Sequence, residues 1–170
     1  MWHYITVFVD RFSLLLAYLA GASILCIALM QLLEIMLRNV FNISLPFVWE
    51  YASYLHMGAV FLAAGYTLRV GGHIRVTLLQ KIHPRAFECM ATTVALCISA
   101  FLSVALVKFA YNYGLSGRTS GTVNDVPLVY PAAFVAFGAL MLTLQLFLRL
   151  VASIIGQPVE LTDSTINATQ

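Results

Sequence analysis

Residues 12–33 read FSLLLAYLAGASILCIALMQLL, 22 residues without Asp, Glu, Lys or Arg, bounded by Arg11 and Glu34. A hydrocarbon core about 30 Å thick is crossed by about 20 apolar residues of α-helix at about 1.5 Å each. This stretch is therefore long enough to span a bilayer. Backbone in lipid has no water to pair with, which leaves a helix or a closed barrel. The run does not alternate as a barrel strand does, so it reads as a helix. Nor does it read as a cleaved leader: the apolar stretch is too long, and Glu34, Met36 and Arg38 follow where a small-residue cleavage site would stand.

Three more charge-free runs follow. Tyr51–Leu68 has 18 residues, Cys89–Val107 has 19 and Val126–Leu148 has 23. The second is nearest the lower limit for a span. Across all 170 residues, 61% are hydrophobic and 9% are charged, and the mean hydropathy is +0.90. Soluble domains carry about 25% charged residues, so this chain cannot cover a water-facing surface. Disorder and nucleic-acid binding are excluded by the same shortage of charge. The expected fold is an all-α integral membrane protein with four transmembrane helices and short interfacial amphipathic segments. The spans are expected at about 12–37, 47–68, 88–110 and 127–150, in one membrane domain over residues 1–157, with a polar tail at 158–170.

Orientation follows from Lys and Arg near the span ends. With the N-terminus inside, the cytoplasmic side holds Arg11, Arg69, Arg75, Lys81, Arg85 and Arg149, and the outside holds Arg38, Lys108 and Arg118. Both termini are expected to be cytoplasmic.

The first connection is EIMLRNVFNISLPFVWE, from Glu34 to Glu50. Glu34 and Arg38 stand at i, i+4 in the favourable order on a helix, either as a local pair or as one that reaches another subunit. Pro46 suits a first helical turn, Glu50 then lies near a positive helix N-terminus, and Trp49 suits the aromatic belt. In the second connection Gly71 and Gly72 end the helix. Ile74, Leu78 and Ile82 share one stripe of an in-plane amphipathic helix, with Arg75, Lys81 and Arg85 available to lipid headgroups. His73 reads as a capping or hydrogen-bonding group. The third connection, NYGLSGRTSGTVNDVP from Asn112 to Pro127, reads as an outer loop. Pro127 and Pro131 are expected in the opening turns of helix four.

No catalytic site, metal site or cofactor is expected. Haem held between two spans needs two facing histidines, and only His56 lies inside a span. Cys26, Cys89 and Cys97 form no C-x-x-C pair and read as small packing residues. A proton antiporter wants a carboxylate within a span, whereas Glu34 and Glu50 flank the charge-free runs. Phosphate-loop, zinc and nucleophile-elbow patterns are missing from the sequence. Gly21, Ser23, Gly58, Ala63, Ala64, Gly65, Ser99, Ser103 and Gly138 suit close helix packing, within the chain or against a partner.

Two local signatures within this layout resemble the small membrane subunit, the DctQ type, of tripartite ATP-independent periplasmic (TRAP) transporters. LRNVFNISLPFVWE supplies Arg38, Pro46, Trp49 and Glu50; LRVGGHIRV supplies Arg69, Gly71, Gly72, His73, Ile74, Arg75 and Val76. Pro127 and Pro131 echo a weaker family pattern, and Thr77 stands where the family often has Asp. The resemblance implies a subunit of a bacterial inner-membrane transporter. Its partners would be a large multi-span permease, a periplasmic substrate-binding protein and membrane lipids. It implies uptake of an organic acid, driven by sodium, with the cargo sites in the large subunit. Glu34, Arg38, Trp49, Glu50, Arg69, Gly71, Gly72, His73, Arg75 and Pro131 are then candidates for structural or subunit-interface roles. The alternative is a self-sufficient homodimeric four-helix antiporter with Glu34 or Glu50 as its proton carrier.

Overall fold

The computed structural model describes residues 2–70 and 84–155. The expected in-plane segment with Gly71, Gly72, His73 and Arg75, the polar tail from residue 158, and the side chain of Arg69 lie outside the described residues. Four helices account for nearly all of the rest. They are α1 (Trp2–Phe41), α2 (Pro46–Arg69), α3 (Pro84–Ser116) and α4 (Val129–Ile155).

Three of these, α1, α3 and α4, are long and apolar enough to cross a membrane. The 24 residues of α2 give it about 36 Å of length, but Tyr51, Ser53, Tyr54, His56, Tyr66 and Thr67 dilute its apolar character. Of the four expected spans, three are long and apolar enough to cross a membrane, and the exception is the one nearest the lower limit. α2 is flanked by α1 and α4, and α4 is flanked by α2 and α3. The helices form an open row, α1–α2–α4–α3, in which α2 is an inner member. Hydroxyls on an inner helix can be satisfied locally: Thr67 Oγ1 donates to the Ala63 carbonyl at 3.0 Å and Ser53 Oγ to the Trp49 carbonyl at 2.8 Å.

Spacings of three and four residues make each seam. Val9, Ser13, Leu16, Ala20, Ile27 and Glu34 are buried on α1, and Val48, Ala52, Ala59 and Leu62 on α2. This is the 3.5-residue repeat of long antiparallel helices. Leu16, Ala20, Ala59 and Leu62 form the core cluster. The α2–α4 seam depends on Gly138, where an added Cβ would come within 2.7 Å of the Phe61 backbone. Gly21 and Gly58, in contrast, have nothing within 4 Å of that position, so they are not close-packing sites inside this chain.

α3 is built the other way round. Its buried residues among those described are Thr92, Ser99 and Ser103, while Val94, Ile98, Phe101 and Val104 face outward. Thr143 Oγ1 of α4 donates to the Ala139 carbonyl at 2.9 Å, so its single proton is committed. Ser99 and Ser103, at 2.7 and 2.8 Å, must then donate to it. Cys89 meets Ser153 at 3.2 Å further along the same seam. Cys26 and Cys97 are exposed and do not pack inside this chain.

The connections are shorter than the charge pattern implied. α1 continues through Glu34 to Phe41 and stops at Asn42, whose φ of 55° is the left-handed turn that ends many helices. Pro46 opens α2 as expected. α3 continues to Ser116, leaving residues 117–128 as the third connection. Pro131 lies in the first turn of α4, but Pro127 precedes the helix in a β-bridge with Thr119. Its two hydrogen bonds run between flanking residues, from the Leu128 N–H to the Arg118 carbonyl and from the Ser120 N–H to the Val126 carbonyl, each at 3.0 Å, so the N–H that Pro127 lacks is not required.

Candidate functional site

Glu50 sits in the second turn of α2 and gathers the third connection around its carboxylate. Thr122 Oγ1 donates to Oε2 at 2.6 Å, Asn124 Nδ2 to the same oxygen at 2.9 Å, and Tyr54 Oη to Oε1 at 3.0 Å. An ionised carboxylate has acceptors only, so three donors of these types match it. Ser120 Oγ bonds Thr122 Oγ1 at 2.8 Å and accepts from the Val126 N–H at 3.2 Å. These bonds hold the loop in its folded-back shape over the start of α2. Asp125 takes a φ of 46° and Gly121 a φ of 67° to close this turn. The nearby helix N-terminus favours the same negative charge.

The far end of α2 is fixed by another long-range bond. Arg149 Nη1 of α4 donates to the Leu68 carbonyl at 3.2 Å, taking up one of the acceptors that every helix C-terminus leaves open. α2 therefore begins beside the loop that leads into α4 and ends beside Arg149, so the two helices run parallel over matching lengths.

At the other edge of the row, Glu34 is 1% exposed, at the α1 end next to α2. Ser44 Oγ donates to its Oε1 at 3.4 Å, and Arg38 Nη1 lies 4.0 Å away. The expected i, i+4 pair forms, but loosely, with Arg38 half exposed. Gln145 Nε2 of α4 donates to Ser13 Oγ in the first third of α1 at 2.7 Å, with both side chains buried.

A family model for the DctQ component of tripartite ATP-independent periplasmic transporters matches residues 27–156. This covers the latter part of α1 and all of α2, α3 and α4. The chain belongs to the DctQ family. No curated protein and no solved structure matches the chain.

As a DctQ component it is a transporter part and a membrane component. The family works with a large permease subunit and a substrate-binding protein. Among the described residues of this DctQ chain there is no group of three His, Cys, Asp or Glu side chains that could hold a metal ion. Of the residues singled out from sequence, Glu50 becomes the centre of a site, with Trp49 exposed beside it and Glu34 and Arg38 paired at a different place. Pro131 shapes only the start of α4. Sequence reasoning missed Thr122, Asn124, Arg149, Gln145 and Ser13. Gln145 carried a usable signal, as a lone amide within a charge-free run. Thr122 and Asn124 carried none, because loop polarity is expected everywhere.

Proposed function

We propose that this DctQ chain is the framework subunit of its transporter, packed against the large permease and holding it in the inner membrane while that partner handles cargo. All four helices cross the bilayer, with both termini in the cytoplasm. The transporter takes up an organic acid delivered by the periplasmic binding protein, and sodium drives the uptake.

The construction of α3 carries this reading. It packs on α4 alone, with Ser99 and Ser103 bonded to Thr143 in the seam, and many of its large apolar side chains face outward, with Phe101 78% exposed and Ser103 2%. Inter-helix association in lipid is driven by packing and polar contacts, not by apolar burial. An open row of four helices leaves two broad apolar faces for a membrane partner. The parallel, length-matched placement of α2 beside α4 supports counting α2 as a span, since α4 is long and apolar enough to be one. The positive charges on the connections support the orientation.

Two experiments test this. Photo-crosslinkers at Ile98, Phe101, Phe134 and Phe147 in native membranes are expected to capture the permease at a contiguous subset, and one at Ser103 is expected to capture nothing outside the chain. Labelling by lipid alone at every outward position counts against the proposal. Alkaline phosphatase fused after residue 120 is expected to be active and after residue 80 inactive; the reverse pattern overturns the orientation.

A further inference from the structure

A cleft of about 480 Å³ opens between the first turns of α2 and the third connection. Pro46, Trp49, Val123 and Leu128 give it apolar walls, and Glu50 gives it a carboxylate. That carboxylate is met only by neutral donors. Among the described residues no Lys, Arg or His nitrogen lies within 4.0 Å of it. Ser120, Thr122, Asn124 and Tyr54 surround it with neutral donors, and no described basic side chain compensates its charge. Such a charge draws a cation toward the cleft. Trp49, an aromatic residue, lines the same cleft.

We propose that this cleft binds the primary ammonium group of an aminophospholipid headgroup. The surroundings favour a lipid as the source of that group. Val123 is 87% exposed, and its immediate loop neighbours Ser120, Gly121, Thr122, Asn124 and Asp125 are small or polar. Phe47, Trp49 and Tyr51 are exposed on the same turns of α2, with the Phe47 and Tyr51 rings 6.2 Å apart. Aromatic side chains collect where headgroups meet hydrocarbon, so the ring level of α2 puts Glu50 at headgroup depth. A soluble amine or the lysine of a partner protein offers the same ammonium but no acyl chain for Val123 and these rings to cover. The proposal rests on the reading of α2 as a span.

The test uses the full-length chain, delipidated in detergent and examined by native mass spectrometry. It is offered phosphatidylethanolamine and phosphatidylglycerol in equal amounts, and in a separate sample free ethanolamine. The expected result is preferential retention of phosphatidylethanolamine. Glu50→Gln lowers that retention about tenfold, the ratio one charge-assisted hydrogen bond supports, and leaves phosphatidylglycerol unaffected. Asn124→Ala, which removes a donor but keeps the charge, retains the preference. Equal retention of the two lipids overturns the proposal, as does binding of free ethanolamine as strong as that of the lipid. So does an equal loss in Glu50→Gln and Asn124→Ala, which would assign the effect to loop shape. Circular dichroism checks that the variants keep their helices. The phosphatase fusions report the placement of α2 independently, so a lost lipid preference with α2 still crossing sinks the headgroup site alone.

Discussion

Gln145 and Ser13 are 132 residues apart in the chain, and their side chains meet at 2.7 Å in a place closed to solvent. Few contacts join α1 to α4, and this one passes across the row at the level where Gly65 of α2 lies against the Gln145 side chain, 3.5 Å from a would-be Cβ. The bond ties the first helix to the fourth past the second. An amide in such a place without a partner is costly. Ser13→Ala is therefore expected to destabilise the fold by roughly 0.5–2 kcal/mol, and Gln145→Leu added to it to recover part of the loss. Unfolding in a detergent titration, run as a double-mutant cycle, measures the coupling; additive losses contradict it.

Gly138 and Gly65 make a second, contrasting pair. A Cβ at Gly138 collides with the Phe61 backbone at 2.7 Å, and backbone cannot rotate away. Gly138→Ala is expected to push α4 off α2 at a cost of about 1–3 kcal/mol. At Gly65 the nearest atom is side-chain carbon at 3.5 Å, and replacing a mid-helix glycine by alanine gains up to about 1 kcal/mol of helix propensity. Gly65→Ala is expected to be neutral or stabilising. Thermal melts of the two variants decide the matter, and equal losses refute the packing account.

Thr143 is the shared acceptor for Ser99 and Ser103. Thr143→Val keeps the shape and removes the hydroxyl, leaving two buried serines without it. The expected effect is a loosened α3, by about 1–2 kcal/mol, with α1, α2 and α4 still packed. Hydrogen exchange should rise along α3 and stay unchanged in α2. A uniform rise across all helices contradicts the open-row arrangement.

Glu50 fixes the third connection through Thr122 and Asn124. Glu50→Ala is expected to free residues 119–127 and speed their cleavage by an added protease several-fold, with the helices intact. Thr122→Val should give a smaller effect in the same direction, because Asn124 and Tyr54 remain bonded to the carboxylate. Unchanged cleavage in Glu50→Ala shows that the loop holds itself.

Much of this was legible in the charge-free runs. Arg11 and Glu34, Glu50 and Arg69, Glu88 and Lys108, and Asp125 and Arg149 bracket stretches that all lie within helices, apart from the few residues before α4. The helices extend beyond those brackets: α1 runs on through Glu34 to Phe41, and α3 through Lys108 to Ser116. Charge reports where lipid ends, and helices do not stop there. Proline position was half readable: Pro46 opens α2, while Pro127 joins a bridge that depends on Thr119. The row order α1–α2–α4–α3 had no local signature, because an apolar helix face does not record which neighbour it meets. The Glu50 loop was hidden for a related reason: Thr122 and Asn124 gain meaning only once the fold brings them across 72 and 74 residues.

The most direct measurement of the framework role is mild-detergent purification of the tagged chain from its native membranes, followed by reconstitution into vesicles with and without what it brings along. The expected result is a stoichiometric complex with a large multi-span permease, with uptake appearing only when that permease and the binding protein are present. Cargo uptake by vesicles holding this chain alone would contradict the account.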